Sequence, residues 1–189
     1  DVEELQPARG DWGRVRIFGR GRGRLSNVHM RYGGGGNDGN CCAGARASAA
    51  TLEINSEIAP QLEKIRVEQS QLRGAQINIS GGFEWAVQGG EFVDNGGIGL
   101  DITGQRAPIG VSDVTARGNG ADGVRLNSQG DQTLNNLTVQ GNAANGLSIT
   151  SGGILTLTDS DISDHPNHFN LVIANAAANS QVRRNTIEA

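Results

Sequence analysis

Few side chains in this sequence are of a type and spacing that suggests chemistry. Glu68 and Glu91, with Arg66 beside them, are the candidates for acid–base catalysis, because two carboxylates can divide the roles of general acid and general base. Asp164, His165 and His168 bring metal-ligand types together over five residues, but no cysteine or third histidine is near, so a surface turn accounts for them better than a metal site. The segment GGIGLDITG at 96–104 approaches the calcium-binding nonapeptide pattern, but has Thr103 where a large apolar residue is required and is not repeated in tandem. No cofactor is therefore expected, with calcium the one cation the pattern brings to mind. GRGRGR at 19–24 has the composition of an anion cradle, and equally that of a turn between strands.

A glycine-rich insertion at 33–50 contains Asn37 and Asp38, which have cation-binding oxygens, and the adjacent Cys41 and Cys42. Two vicinal cysteines define no disulfide framework, and a bond between them would be strained. A structural flap explains the insertion as well as a functional loop does.

The elements that would position these groups follow from composition and repeat. With 29 glycines but 4 prolines in 189 residues, and 4% aromatics, the chain is too patterned for disorder and too glycine-rich for a helical bundle. A net charge of −4 gives no general attraction to nucleic acid, although the first 31 residues are locally basic. Lys64 is the lone lysine among 16 basic residues, which reads as the codon bias of a GC-rich bacterium. No apolar run approaches the roughly 20 residues that span a bilayer. The opening DVEELQPARG shows no signal-peptide pattern and reads as a cap or linker over residues 1–10, in a segment cut from a longer protein.

From residue 57 the chain falls into blocks of about 24 residues, a period that points to a solenoid. Each block has an apolar anchor (Leu25, Leu62, Val87, Val111, Leu134, Leu157, Val182), with apolar or small residues three and five positions later. A second apolar pair follows at strand spacing: Val15 and Ile17, Leu52 and Ile54, Ile77 and Ile79, Leu100 and Ile102, Val124 and Leu126, Leu147 and Ile149, Leu171 and Ile173. Eight residues after the anchor stands a corner position, occupied by Gly33, Ser70, Asn95, Asn119, Asn142 and His165, with the three asparagines in consecutive blocks. Asparagine tolerates the left-handed conformation of a sharp corner, and stacked asparagines can bond to one another as a ladder. The blocks offer no long helical stretch, which excludes ankyrin, tetratricopeptide and HEAT repeats. They are too short for propeller blades, and a leucine-rich repeat is the second choice.

GNGADGVRL and GNAANGLSI, with asparagine at the corner and G-[VIL]-x-[ILV] after it, resemble the right-handed parallel β-helix of the pectin-lyase-like superfamily. GDWGRVRIFG followed by RLSNVHMRYGG resembles the entry rung of bacterial surface members. The resemblance covers about residues 11–189 and implies an all-β solenoid of about seven rungs. In the polysaccharide lyases of that superfamily it implies clustered acids and an Arg or Lys base on the anchor-strand face; in its glycosidases, paired carboxylates. The outward positions of that face are Arg24/Ser26, Gln61/Glu63, Ala86/Gln88, Gly110/Ser112, Thr133/Asn135, Thr156/Thr158 and Gln181/Arg183, where Glu63 stands alone as an acid.

Elsewhere the outward charges alternate between rungs: Arg31 over Glu68, Arg66 over Glu91, Arg16 by Glu53, Asp101 by Arg125. Such alternation is what cross-rung ion pairing requires. The expectation is a non-enzymatic, extracellular or cell-surface β-helical module acting as scaffold, adhesion surface or assembly unit. Its partners would be polysaccharide or other surface proteins, with end-to-end self-association as a further mode. The alternative is a carbohydrate-active enzyme (lyase, hydrolase or epimerase) using Glu68, Glu91 and Arg66.

Overall fold

The computed structural model describes residues 7–20, 23–35, 50–58, 60–166 and 168–188. They form a parallel β-solenoid of about six turns spaced about 24 residues apart. One sheet stacks seven strands: β1 (Val15–Gly19), β3 (Ala50–Ser56), β5 (Arg73–Ile79), β7 (Leu100–Gly104), β9 (Val124–Ser128), β12 (Leu147–Ser151) and β15 (Leu171–Ala174). The other surface begins with four long bent strands, β2 (Arg24–Arg31), β4 (Gln61–Glu68), β6 (Trp85–Val93) and β8 (Ile109–Arg117). It continues as split pairs: β10 (Gln132–Asn135) with β11 (Thr138–Gln140), β13 (Leu155–Thr158) with β14 (Asp161–Ser163), and β16 (Gln181–Arg183) with β17 (Thr186–Glu188).

The anchor residues stack in one line, Leu25 on Leu62 on Val87 on Val111 on Leu134 on Leu157 on Val182. A second line runs from Met30 through Val67, Phe92, Ala116, Val139 and Ile162 to Ile187. In the middle rungs these side chains are essentially inaccessible to water. Each such burial is worth about 1.5–3 kcal/mol, but only when a neighbouring rung covers it. Between these two lines runs a third, Val28 on Ile65 on Gly90 on Val114; where it loses its side chain at Gly90, the ring of Phe92 fills the space, and a Cβ on Gly90 would lie 3.2 Å from it.

The register of the seven-strand sheet corrects one expectation. Ala75 and Ile77, not Ile77 and Ile79, occupy the inward pair of β5, since Ala75 pairs with Leu52 and Leu100. Ala75 is fully buried, so its small side chain is a core residue.

The corners also differ from expectation. Left-handed backbone falls on the residue before the asparagine column, at Tyr32, Gln69, Asp94, Gly118, Gly141 and Asp164. The asparagines themselves are not left-handed; their amides are used for bonding instead. A second left-handed column stands two residues after each anchor, within the four long strands at Asn27, Lys64, Gly89 and Asp113 and in the breaks of the split pairs at Asn136, Asp159 and Arg184.

Candidate functional site

Three places hold the side chains that chemistry would need: the corner ladder, the charged face of β2, β4 and β6, and a groove beside the anchor strands.

At the ladder, Asn95 Nδ2 donates to Asn119 Oδ1 at 3.0 Å, and Asn119 Nδ2 to Asn142 Oδ1 at 2.8 Å. Each Oδ1 also accepts a backbone N–H from the preceding rung, Ser70 onto Asn95, Asn95 onto Asn119 and Asn119 onto Asn142. The second amide hydrogens go to the carbonyls of Val67, Phe92 and Ala116. Every polar atom of these buried amides is thus paired, as burial demands.

His165 continues the column. Since Asn142 Oδ1 is the acceptor for Asn119, its Nδ2 faces His165 Nε2 at 3.1 Å as donor, and His165 Nδ1 lies 2.7 Å from Asn170 Oδ1. These partners suit the tautomer that carries its hydrogen on Nδ1. His165 is therefore a buried ladder residue, not the surface-turn residue that its sequence context suggests. Among the described residues no group of three or more histidine, cysteine, aspartate or glutamate side chains is arranged to hold a metal ion.

On the charged face, Glu68 is the buried centre. Its Oε1 lies 2.6 Å from Arg31 Nε and 3.0 Å from His29 Nε2, and its Oε2 lies 2.6 Å from Arg66 Nη2. Arg66 also grips Glu91, which is half exposed. Burial by itself raises the Glu68 carboxyl. The hydrogen bonds from Arg66 and His29 and the charges of Arg66 and Arg31 together outweigh that and hold it below the usual glutamate range. The same contacts with Glu68, ahead of the opposing effect of burial, raise Arg66. The three candidate residues are thus brought together, with the guanidinium inserted between the two acids.

Cross-rung pairs recur elsewhere. Arg125 binds Asp101 through two nitrogens at 3.0 and 2.7 Å, and Arg73 reaches the same carboxylate at 3.1 Å. Asp101 belongs to the 96–104 segment, so its oxygens face guanidinium groups. Arg184 holds Asp159 through two bonds of 2.6 Å, which lowers that carboxyl.

The groove, about 610 Å³, is lined by Arg24, Gln61, Glu63, Glu84, Ala86 and Gln88, with buried Trp85 fixed by a 2.7 Å bond from Nε1 to the Pro60 carbonyl. Glu84 is a second acid that the repeat pattern misses, because it stands in a corner segment before β6. Glu63 is bound by Arg24 at 2.6 Å, and that hydrogen bond keeps it ionised below its usual range. Glu63 sits level with Gln88, four residues beyond Glu84.

Gly21, Arg22 and the insertion residues Asn37, Asp38, Cys41 and Cys42 lie outside the described residues, as do residues 1–6 of the expected cap. The described end of that segment folds back on the first rung: Gly10 N donates to the Tyr32 carbonyl, and Trp12 Nε1 to that of Arg31.

A family model described as a right handed beta helix region matches residues 15–187. No curated protein and no solved structure matches the chain.

Proposed function

The chain belongs to the right-handed β-helix family, and from that premise we propose that it is a non-enzymatic β-helical module of an extracellular or cell-surface protein. It presents a rigid outer surface to polysaccharide or to other surface proteins. The observation that supports this most is the position of Arg66 between Glu68 and Glu91. A carboxylate whose two oxygens face Arg31, His29 and Arg66 is held ionised, and a general acid must be protonated at working pH. Rigidity is supported by the fully bonded amide ladder and by the cross-rung ion pairs.

A second reading, a carbohydrate-active enzyme, draws on the groove that holds Glu63 and Glu84 beside the anchor strands. Against it stands the Arg24 contact on Glu63.

The test is incubation with a panel of polyuronates and neutral glycans, with and without calcium, following binding and chain cleavage together. Binding without cleavage supports the recognition module. Cleavage that Glu68→Gln or Glu91→Gln abolishes overturns it in favour of the charged face. Cleavage that Glu63→Gln or Glu84→Gln abolishes overturns it in favour of the groove.

A further inference from the structure

A second groove, of about 320 Å³, lies where β3, β5 and β7 of the seven-strand sheet run out into their corner segments. Its lining includes the outward side chains of Asn55, Asn78 and Thr103, which stand level with one another on neighbouring strands. Ser80 and Gln105, both exposed, join them from the corners. Asn78 Nδ2 donates to Asn55 Oδ1 at 2.6 Å, which fixes the order of the amides. Backbone bonds from Ser80 N to the Ser56 carbonyl and from Gln105 N to the Ile79 carbonyl fix the corners. The groove is therefore formed without a ligand, as small-molecule sites largely are.

The chemistry of this lining is that of amides and hydroxyls, groups that both donate and accept hydrogen bonds. Charge is cancelled locally. Glu57, the carboxylate of the lining, is bound by Arg20 at 2.8 Å. Asp101, two residues before Thr103 on β7, is held by Arg73 and Arg125. Glu57 and Ser80 also border an adjoining hollow lined by Phe83, whose ring is 71% exposed. The groove beside the anchor strands is different in kind, since it carries Glu63 and Glu84.

We propose that this groove on the seven-strand sheet is a binding subsite for a neutral glycan. Asn78, Thr103 and Gln105 exchange hydrogen bonds with the hydroxyls of one sugar ring. Phe83 carries the apolar C–H face of the next ring against the electron-rich face of its own. An acidic glycan is the poorer match, because its carboxylates meet the Glu57 carboxylate while Arg20 is already engaged. This inference rests on the recognition reading and adds to it the face that binds and the class of ligand.

The test uses the whole chain and measures Kd by calorimetry for soluble oligosaccharides of β-glucan, β-mannan and β-galactan, with oligogalacturonate as the acidic probe. The expected result is that a neutral oligosaccharide binds more tightly than oligogalacturonate by at least about tenfold. Asn78→Ala, Gln105→Ala and Phe83→Ala each weaken that binding by about three- to tenfold, the loss of one hydrogen bond or one aromatic contact. Phe83→Tyr retains it, and so does Thr133→Ala on the anchor-strand face. Urea midpoints matching that of the native chain show that the variants are folded. Neutral-glycan binding that none of the three alanine variants weakens overturns this inference and leaves the recognition reading standing. Oligogalacturonate binding as tight as that of the neutral oligosaccharides overturns the choice of ligand class. No binding of any of the four probes overturns both the subsite and polysaccharide as the partner.

Discussion

Asn119 donates its side-chain amide to Asn142 Oδ1 at 2.8 Å, and the amide has room to lie there because residue 99, beside it, is glycine. A Cβ there would lie 2.7 Å from Asn119 Nδ2 and equally close to the Gly123 carbonyl. Gly74, Gly123 and Gly146 stand in the same relation to Asn95, Asn142 and His165. Ladder and glycine column are thus two halves of one device: the corner amide fills the space that the glycine leaves.

Asn119→Leu removes partners from Asn95 Nδ2, the Asn95 backbone N–H and the Phe92 carbonyl, all inside the protein. Leaving a buried polar group unsatisfied costs about 1–3 kcal/mol, so a loss of at least about 3 kcal/mol is expected in urea unfolding. Gly99→Ala should destabilise through the same site by steric displacement. Stability unchanged in both variants would show that the ladder contributes nothing net.

His165 tests whether the ladder tolerates a change of residue type at its end. His165→Leu strands Asn142 Nδ2 and Asn170 Oδ1, and should cost about 1–3 kcal/mol. His165→Asn restores an acceptor towards Asn142 and should recover part of that loss. The measurement is a pair of urea midpoints, and equal loss in both variants would argue against a bonded end residue.

Acid should loosen the first two rungs. The folded Glu68 and Glu63 carboxyls lie below the ordinary value of 4.5, so the unfolded chain takes up protons first as pH falls. The stability they add is therefore complete above that value and is lost below it, as pH drops through the folded range. Urea midpoints measured from neutral pH down to about 3 should fall more steeply for the native chain than for Glu68→Gln. Parallel curves would show that Glu68 is not linked to folding.

Arg66 makes two contacts that should differ in strength. Glu91 is 47% exposed, so its coupling to Arg66 should be near 0–1 kcal/mol. Glu68 is 9% exposed and hydrogen-bonded through the same oxygen by two guanidinium nitrogens, so its coupling should be larger. Two double-mutant cycles, Arg66→Gln with Glu68→Gln and with Glu91→Gln, measure both. A larger coupling to Glu91 would contradict this ranking.

The sequence reveals the stacking lines well, because inward positions repeat at a constant spacing and tolerate only apolar or small residues. It fails at Ala75, where the pattern favours the bulkier Ile79 although Ala75 is the residue in register. It also fails at the bend two residues after each anchor. There the left-handed column includes Lys64 and Arg184, types with no preference for that backbone, so the neighbouring rungs impose it. Glu84 escapes notice for a related reason: corner segments vary in length, and a residue there has no column to belong to. His165 falls in the corner column by its spacing, eight residues after Leu157, but its bond to the amide ladder is not legible, because the histidine, proline and asparagine crowding its segment suggest a surface turn. The charged columns are readable from the repeat, whereas the sharing of Glu68 among Arg31, His29 and Arg66 depends on side-chain reach that spacing does not encode.

The central claim is that this module binds without cutting. The most direct measurement is the release of new chain ends from polyuronate and neutral glycan over an extended incubation with calcium, with the product mixture resolved by mass. The account predicts a product distribution identical to that of the buffer control. Shortened chains that disappear with Glu63→Gln, Glu84→Gln, Glu68→Gln or Glu91→Gln would contradict it.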